Sequence, residues 1–175
     1  MERARTRVSE SSCGICGIDS VAAALAPIEP VQAMPVVDPA AIHKALSAMR
    51  SHQRLGEATG AAHAAAFCSF DGQIVLLRED VGRHNALDKL IGALVRAGSD
   101  PAQGAVVLTS RVSVDMVQKT VMAGCPVLIA VSAPTAQALR VAEAAGLTVA
   151  AFARAGAFDL YAAPHRIIHA EADVA

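Results

Sequence analysis

The sequence predicts an α/β domain, a mostly parallel sheet flanked by helices. Three observations carry that prediction. Short apolar runs of strand length alternate with amphipathic stretches of helix length. Glycines punctuate the ends of the helical stretches. The chain has 175 residues, of which 54% are hydrophobic, enough for one domain to bury a core without disulfides.

The elements follow in order. Residues 1–20 are polar, with glycine and serine around a cysteine pair, and residues 21–37 hold Pro27, Pro30 and Pro35 and read as a connector. Asp38-Pro39 is a helix start, an N-cap residue followed by proline at the first helical position. Ile42, Leu46, Met49 and Leu55 then predict a helix over residues 39–55. Ala61 to Phe70 and Gln73 to Glu79 are short apolar runs joined at Asp71-Gly72, a strong hairpin signal. His84 to Ala97 carries a helical stripe (Leu87, Leu90, Ile91, Leu94, Val95) closed by Gly98. Ala105 to Thr109 reads as a buried strand, Ser113 to Ala123 as a helix stopped by Gly124, and Val127 to Val131 as a second buried strand. Thr135 to Ala145 is a helix stopped by Gly146, and Leu147 to Ala153 is a strand again. The division expected is a flexible cysteine-containing arm and connector over 1–37 and an α/β binding domain over 38–175.

Composition excludes several classes. Alanine is roughly a fifth of the chain and aromatics only 3%. The formal net charge of -1 argues against a nucleic-acid binder, which carries a basic excess. No apolar run reaches the roughly 20 residues of a membrane span, and no apolar segment follows the charged N-terminus as a secretory signal would require. Four cysteines are few for a disulfide scaffold of this size, so a cytoplasmic, reducing location is expected.

In α/β sheets, ligands bind beyond the carboxyl ends of strands, where loops lead into helix N-termini. Three such junctions stand out: Arg78 to Asn85, Thr109 to Ser113, and Val131 to Thr135. Each offers free backbone N–H groups and small polar side chains, and two carry arginine, whose planar fork suits phosphate. The plain alternative is that Ser113 and Thr135 are N-caps and Gly82 makes a turn. Clustered on adjacent loops, the junctions favour a cradle for an anionic, phosphorylated ligand.

Cys13-Gly14-Ile15-Cys16 is the second candidate. Such a pair can bind metal, form a reversible disulfide or carry a persulfide. A zinc site needs more ligands, and Cys68 and Cys125 are isolated in apolar contexts, as small buried hydrophobes would be. No strand precedes the pair, unlike a thioredoxin-type motif. Two weaker features complete the inventory. His169-Ala170-Glu171 matches half of a zinc deaminase signature but lacks the cysteine half, and reads as a solvated tail. His63 reads as a core or edge histidine with a ligand contact open to it.

Taken in order, five motifs carry a resemblance. They are Ser11-Ser12-Cys13-Gly14-Ile15-Cys16-Gly17, Glu79 through Lys89, Ser110-Arg111-Val112-Ser113 with Met116 to Lys119, Ser132-Ala133-Pro134-Thr135, and Phe152-Ala153-Arg154 ahead of Phe158 to Tyr161. Together they resemble the formate dehydrogenase accessory sulfurtransferase family, FdhD, from Ser11 to Tyr161. The resemblance implies a cytoplasmic homodimeric sulfurtransferase with a cytidine-deaminase-like body lacking the catalytic zinc. Sulfur would come from a cysteine desulfurase as a persulfide on Cys13 or Cys16. It would pass to the molybdenum (or tungsten) bis-guanine-dinucleotide cofactor destined for formate dehydrogenase. GDP would mimic part of that cofactor. By position, its guanine nucleotide ends would contact Arg83, His84, Asn85 and Lys89, then Ser110, Arg111 and Ser113, then Ser132, Ala133 and Thr135, with Phe152 beside them. No resident metal is implied. Members carry a long further region before the cysteine loop, whereas 12 residues precede Cys13 here. That departure raises the alternative of a truncated, non-catalytic binding module for guanine nucleotide or cofactor.

Overall fold

The structure is a computed structural model, and it describes residues 28–154 and 156–168. The cysteine pair at 13 and 16 and the His169–Glu171 segment therefore lie outside the described residues.

Helix α1 spans Pro39–Met49, with Asp38 accepting from the Ala40 N–H at its start. The sequence predicted one helix to residue 55; the chain instead tightens into a 3-10 turn at Arg50–His52 and restarts as α2, Arg54–Thr59. Local and distant side chains explain the break. Ser51 and His52 both bond back to the Ala48 carbonyl, at 2.8 and 2.9 Å. The Glu79 carboxylate then caps the restart, accepting from the N–H groups of Leu55 at 2.8 Å and Gly56 at 2.7 Å.

Strands β1 (His63–Ser69) and β2 (Ile74–Asp80) form the hairpin expected at Asp71-Gly72. Gly72 sits at φ +80°, where an L side chain is strained, and its N–H bonds the Ser69 carbonyl at 2.9 Å. Asp71 closes the turn by accepting from Ser69 Oγ and Gln73 Nε2; those bonds, the Ser69 one foremost, hold its carboxyl down at about 2. The remaining elements are α3 (Arg83–Ala97), β3 (Gly104–Leu108), α4 (Val114–Met122), β4 (Val127–Ala130), α5 (Ala136–Ala144), β5 (Thr148–Arg154) and β6 (Ala157–Ala162). Gly98, Gly124 and Gly146 all adopt positive φ at the helix ends the sequence marked.

One six-stranded sheet has the order β2-β1-β3-β4-β5-β6. The expectation of a mostly parallel sheet is corrected here. Only β3–β4 and β4–β5 pair in parallel; β1–β2, β1–β3 and β5–β6 are antiparallel. The tight turn after β1 returns the chain directly, with no crossover helix. Strand β6 likewise pairs antiparallel beside β5, and no strand is predicted there from the sequence. Because β2 and β3 both oppose β1, strands β2 to β5 still run in one direction.

Side-chain alternation along the strands builds two cores, one on each face. Ala65, Phe67, Val106, Leu108, Leu128 and Val149 pack beneath α3, α4 and α5, with Leu87, Leu90, Met116 and Ala142. Ala64, Ala66, Val107, Val127, Ile129 and Ala150 face α1 through Ile42, Ala45 and Met49. Alanine's abundance acquires a reason: small residues on β1 and β5 let helices lie close on both faces. Residues 31–37 run along this body, with Val31 N–H bonded to the Ala145 carbonyl at 3.0 Å and Val37 N–H to the Arg166 carbonyl at 2.8 Å. Arg166 is itself buried, bonding the Ala33 and Gly146 carbonyls and the Thr148 hydroxyl.

Candidate functional site

The common direction of β2 to β5 brings the three junctions to one edge of the sheet. Two of the loops are laced together by backbone. Val112 N–H bonds the Ala133 carbonyl at 3.1 Å, and Thr135 N–H bonds the Val112 carbonyl at 3.0 Å. Phe152 N–H reaches the Ser132 carbonyl at 3.4 Å, adding the end of β5 to the group. The first junction joins through side chains: His84 on α3 and Asp115 on α4 are 2.7 Å apart, Nδ1 to Oδ2. Arg83, His84, Ser110, Arg111, Ser113, Ser132, Ala133, Thr135 and Phe152 are thus placed at the same edge. His63 is there too, at the head of β1 opposite Asp80.

Asp80 organises the first junction. It accepts from the Gly82 N–H at 2.8 Å, from Asn85 Nδ2 at 3.2 Å and from Lys89 Nζ. The Lys89 bond foremost, then the Gly82 and Asn85 bonds, holds the Asp80 carboxyl well below the usual range, at about 2. Asn85 and Lys89 therefore have polar ends engaged by this turn, and they fix the entry into α3. Gly82 occupies the N-cap of α3 without a side chain, which leaves the first helical N–H groups uncapped by any hydroxyl.

The capping pattern separates the two hydroxyl candidates. Thr135 caps α5, its Oγ1 accepting from the Ala138 N–H at 3.2 Å, as the plain reading expects. Ser113 occupies the N-cap of α4 but makes no capping bond. Its Oγ is buried with no hydrogen-bond partner among the described residues, and so are Arg83 Nε and His84 Nε2. Buried polar atoms are nearly always bonded, because leaving one unsatisfied costs about 1–3 kcal/mol. Three orphans on two adjoining helix starts therefore mark a place built to receive polar atoms. Ser110 is buried and bonded to the Arg111 carbonyl at 3.1 Å, so it supports the loop, while the Arg111 side chain is exposed at the rim.

Behind His84 lies a chain of charges. Asp115 also pairs with Lys119 at 3.2 Å, and Lys119 with Asp88 at 2.9 Å. Partial burial works against the Lys119 ammonium, but the two carboxylates outweigh it and raise its pKa. Asp80 lies within the first junction but is not among the predicted contact residues, and Asp115 lies outside every motif. Asp80 carried a signal in its Asp-Val-Gly spacing, an Asx-turn pattern. Asp115 read only as an acidic residue in a first helical turn, a common place for one.

An apolar rim flanks the polar floor: Val81 is 77% exposed, Phe152 40% and Tyr161 41%. Phe152 adopts φ +51°, a strained conformation for a side chain of that size, at an irregularity in the β5–β6 register. That twist turns its ring outward, 6.2 Å from the Tyr161 ring, where a planar base could stack.

The remaining cysteines face away from this chemistry. Cys68 belongs to the α1 core and Cys125 to the opposite one. Burial pushes both thiols up to about 12, so neither supplies a thiolate near neutral pH. Both are the buried hydrophobes the sequence predicted. Among the described residues, no group of three or more His, Cys, Asp or Glu could hold a metal ion, and no helix is long and apolar enough to cross a membrane.

Fold and edge together define a class: a mixed α/β protein with a six-stranded sheet whose adjoining helix starts gather buried polar atoms that lack partners among the described residues. The chain belongs to the FdhD/NarQ family, whose profile matches residues 1–168. It is 47% identical over 169 residues to the sulfur carrier protein FdhD of Bordetella bronchiseptica, covering 95% of this chain and 60% of that protein. The Cupriavidus necator sulfur carrier protein FdhD is 47% identical over 168 residues, covering 96% and 58%. The chain thus spans about 60% of the length of these curated relatives. A crystal structure from Desulfotalea psychrophila, assigned as a formate dehydrogenase accessory protein, superposes with a TM-score of 0.75 at 28% identity. That match covers 83% of this chain and 61% of the other.

Proposed function

We propose that the protein is a cytoplasmic sulfurtransferase with a body of the cytidine-deaminase-like kind. It accepts sulfur from a cysteine desulfurase and passes it to a molybdenum or tungsten bis-guanine-dinucleotide cofactor bound for formate dehydrogenase. The cofactor is the substrate here, and a homodimer is the expected assembly. The observation that carries the reading is the trio of buried polar atoms on Arg83, His84 and Ser113 that have no partner among the described residues. Arg83 Nε and the Ser113 hydroxyl supply donors suited to a nucleotide phosphate, beside the exposed Phe152 ring suited to its base. Membership of the FdhD/NarQ family supports the sulfur-carrying half.

Sulfur acceptance falls to Cys13 or Cys16, because Cys68 and Cys125 are buried and protonated. The acceptor thiolate attacks the terminal sulfur of the desulfurase persulfide. A new S–S bond forms on this chain, the old S–S bond breaks, and the electron pair leaves on the desulfurase cysteine as a thiolate. The test is the intact mass of the protein after incubation with a desulfurase and cysteine. Wild type is expected to gain one sulfur atom, lost again on treatment with a thiol reductant. Cys13→Ala combined with Cys16→Ala is expected to gain none. An undiminished adduct on the double variant overturns transfer by this pair. A wild type that binds GDP yet takes no sulfur establishes the non-catalytic binding module instead.

A further inference from the structure

Asp115 is assigned no role by the family motifs, yet it is the one carboxylate bonded to the His84 ring among the described residues. Its bond fixes how the ring can carry protons. At 2.7 Å from a carboxylate oxygen, Nδ1 must hold a proton and donate it. A neutral ring would then present a bare lone pair at Nε2, the atom buried without a partner among the described residues. Its neighbours on the same helix start are of opposite character. Arg83 Nε can only donate, and so can the free N–H groups at the starts of α3 and α4. A ligand group that satisfies them has to be an acceptor. His84 can meet an acceptor at Nε2 only by taking up a second proton.

We propose that His84, positioned by Asp115, is a proton-linked receptor for the phosphate of the bound nucleotide: binding the anion draws a proton onto Nε2. The proposal rests on the cradle reading above. Asp115 is the positioning residue. Its carboxylate orients the ring and balances the imidazolium charge once the anion is seated. The charged and titratable groups on the elements packed around the ring divide into three sets. Asp115 and Lys119 on α4 and Asp88 on α3 form the ion-pair chain behind it. Arg83 on α3 and Arg111 in the β3–α4 loop add positive charge on the ligand side, and both favour the anion. His63 stands at the head of β1, while Asp80 and Lys89 neutralise each other at the end of β2. Lys119 Nζ lies 3.2 Å from Asp115 Oδ2, a counter-charge behind the carboxylate that faces the ring.

GDP titrated by calorimetry at pH 7.5, in buffers of different ionisation enthalpy, counts the protons taken up per GDP bound. Wild type is expected to take up roughly half a proton or more beyond His84→Gln. The glutamine amide keeps a donor near the site but cannot be protonated. GDP's own ionisation is common to both proteins and cancels in the difference. Asp115→Asn keeps an acceptor for Nδ1 and removes the charge. It is expected to lower the proton count toward that of His84→Gln and to weaken GDP binding roughly tenfold. A merely structural Asp115 would weaken binding and leave the count per bound GDP unchanged; that result overturns the proposal. Equal counts in wild type and His84→Gln overturn it as well, while leaving the cradle standing. No GDP binding by wild type overturns the cradle, and the proton linkage with it.

Discussion

Replacing Arg83 with alanine is expected to weaken GDP binding about thirtyfold, the equivalent of about 2 kcal/mol. The size follows from where the guanidinium lies. Arg83 Nε is buried and has no partner among the described residues, so a seated phosphate makes a charge-assisted bond that water does not compete for. The same substitution at Arg111, exposed at the rim, is expected to cost about threefold or less, because solvent screens an exposed pair. Arg96, in the last turn of α3 at the far end of the helix, is the control and should bind GDP as wild type does. Calorimetry at one fixed salt concentration ranks the three. An unchanged affinity for Arg83→Ala together with a large loss for Arg111→Ala would move the ligand out of the helix starts and onto the rim.

Gly104→Ala is expected to destabilise the fold by about 3 kcal/mol, read from urea unfolding. Gly104 opens β3 and faces Ser69 across the antiparallel pair. A Cβ built there would lie 2.3 Å from the Cys68 carbonyl oxygen and 2.4 Å from Phe67 Cζ. The backbone is extended at this position, so the cost is steric and not conformational. Phe67 is 4% exposed inside the helix-covered core and has little room to swing away. Pairing the substitution with Phe67→Leu should recover the ring's share of the clash and leave the carbonyl's share. Loss of this pairing would also loosen β3, whose carboxyl end carries the Ser110 and Ser113 loop.

The elements that were legible in the sequence are those specified locally. Asp71-Gly72 forces the hairpin, and Gly98, Gly124 and Gly146 stop the helices they follow, each through its own backbone freedom. The placement of the three loops at one edge was legible too, since it needs only the common direction of the strands leading into them. What escaped was set by distant partners. The helix predicted to residue 55 breaks because Glu79, on β2, caps Leu55 and Gly56. Strand β6 alternates half-buried Phe158 and Leu160 with exposed neighbours, a weak pattern in so short a segment. Asp115 lies 31 residues from His84, and no spacing rule connects them. Ser113 looked like a capping serine, and only the absence of its capping bond distinguishes it from Thr135.

On the proposed function, a guanine nucleotide sits across the starts of α3, α4 and α5. With a 17.9 kDa chain, the protein is within reach of backbone amide NMR even as the proposed homodimer, and a GDP titration tests this placement residue by residue. The largest shifts are predicted at Gly82 to Asn85, at Val112 to Asp115, and at Ser132, Ala133, Thr135 and Ala136, with the His84 ring responding alongside them. Little change is predicted at Gly72, Gly98 or Gly146, which belong to turns at the opposite ends of the strands and helices. Saturable shifts confined to those turns, or no shifts at all at the three helix starts, would contradict it.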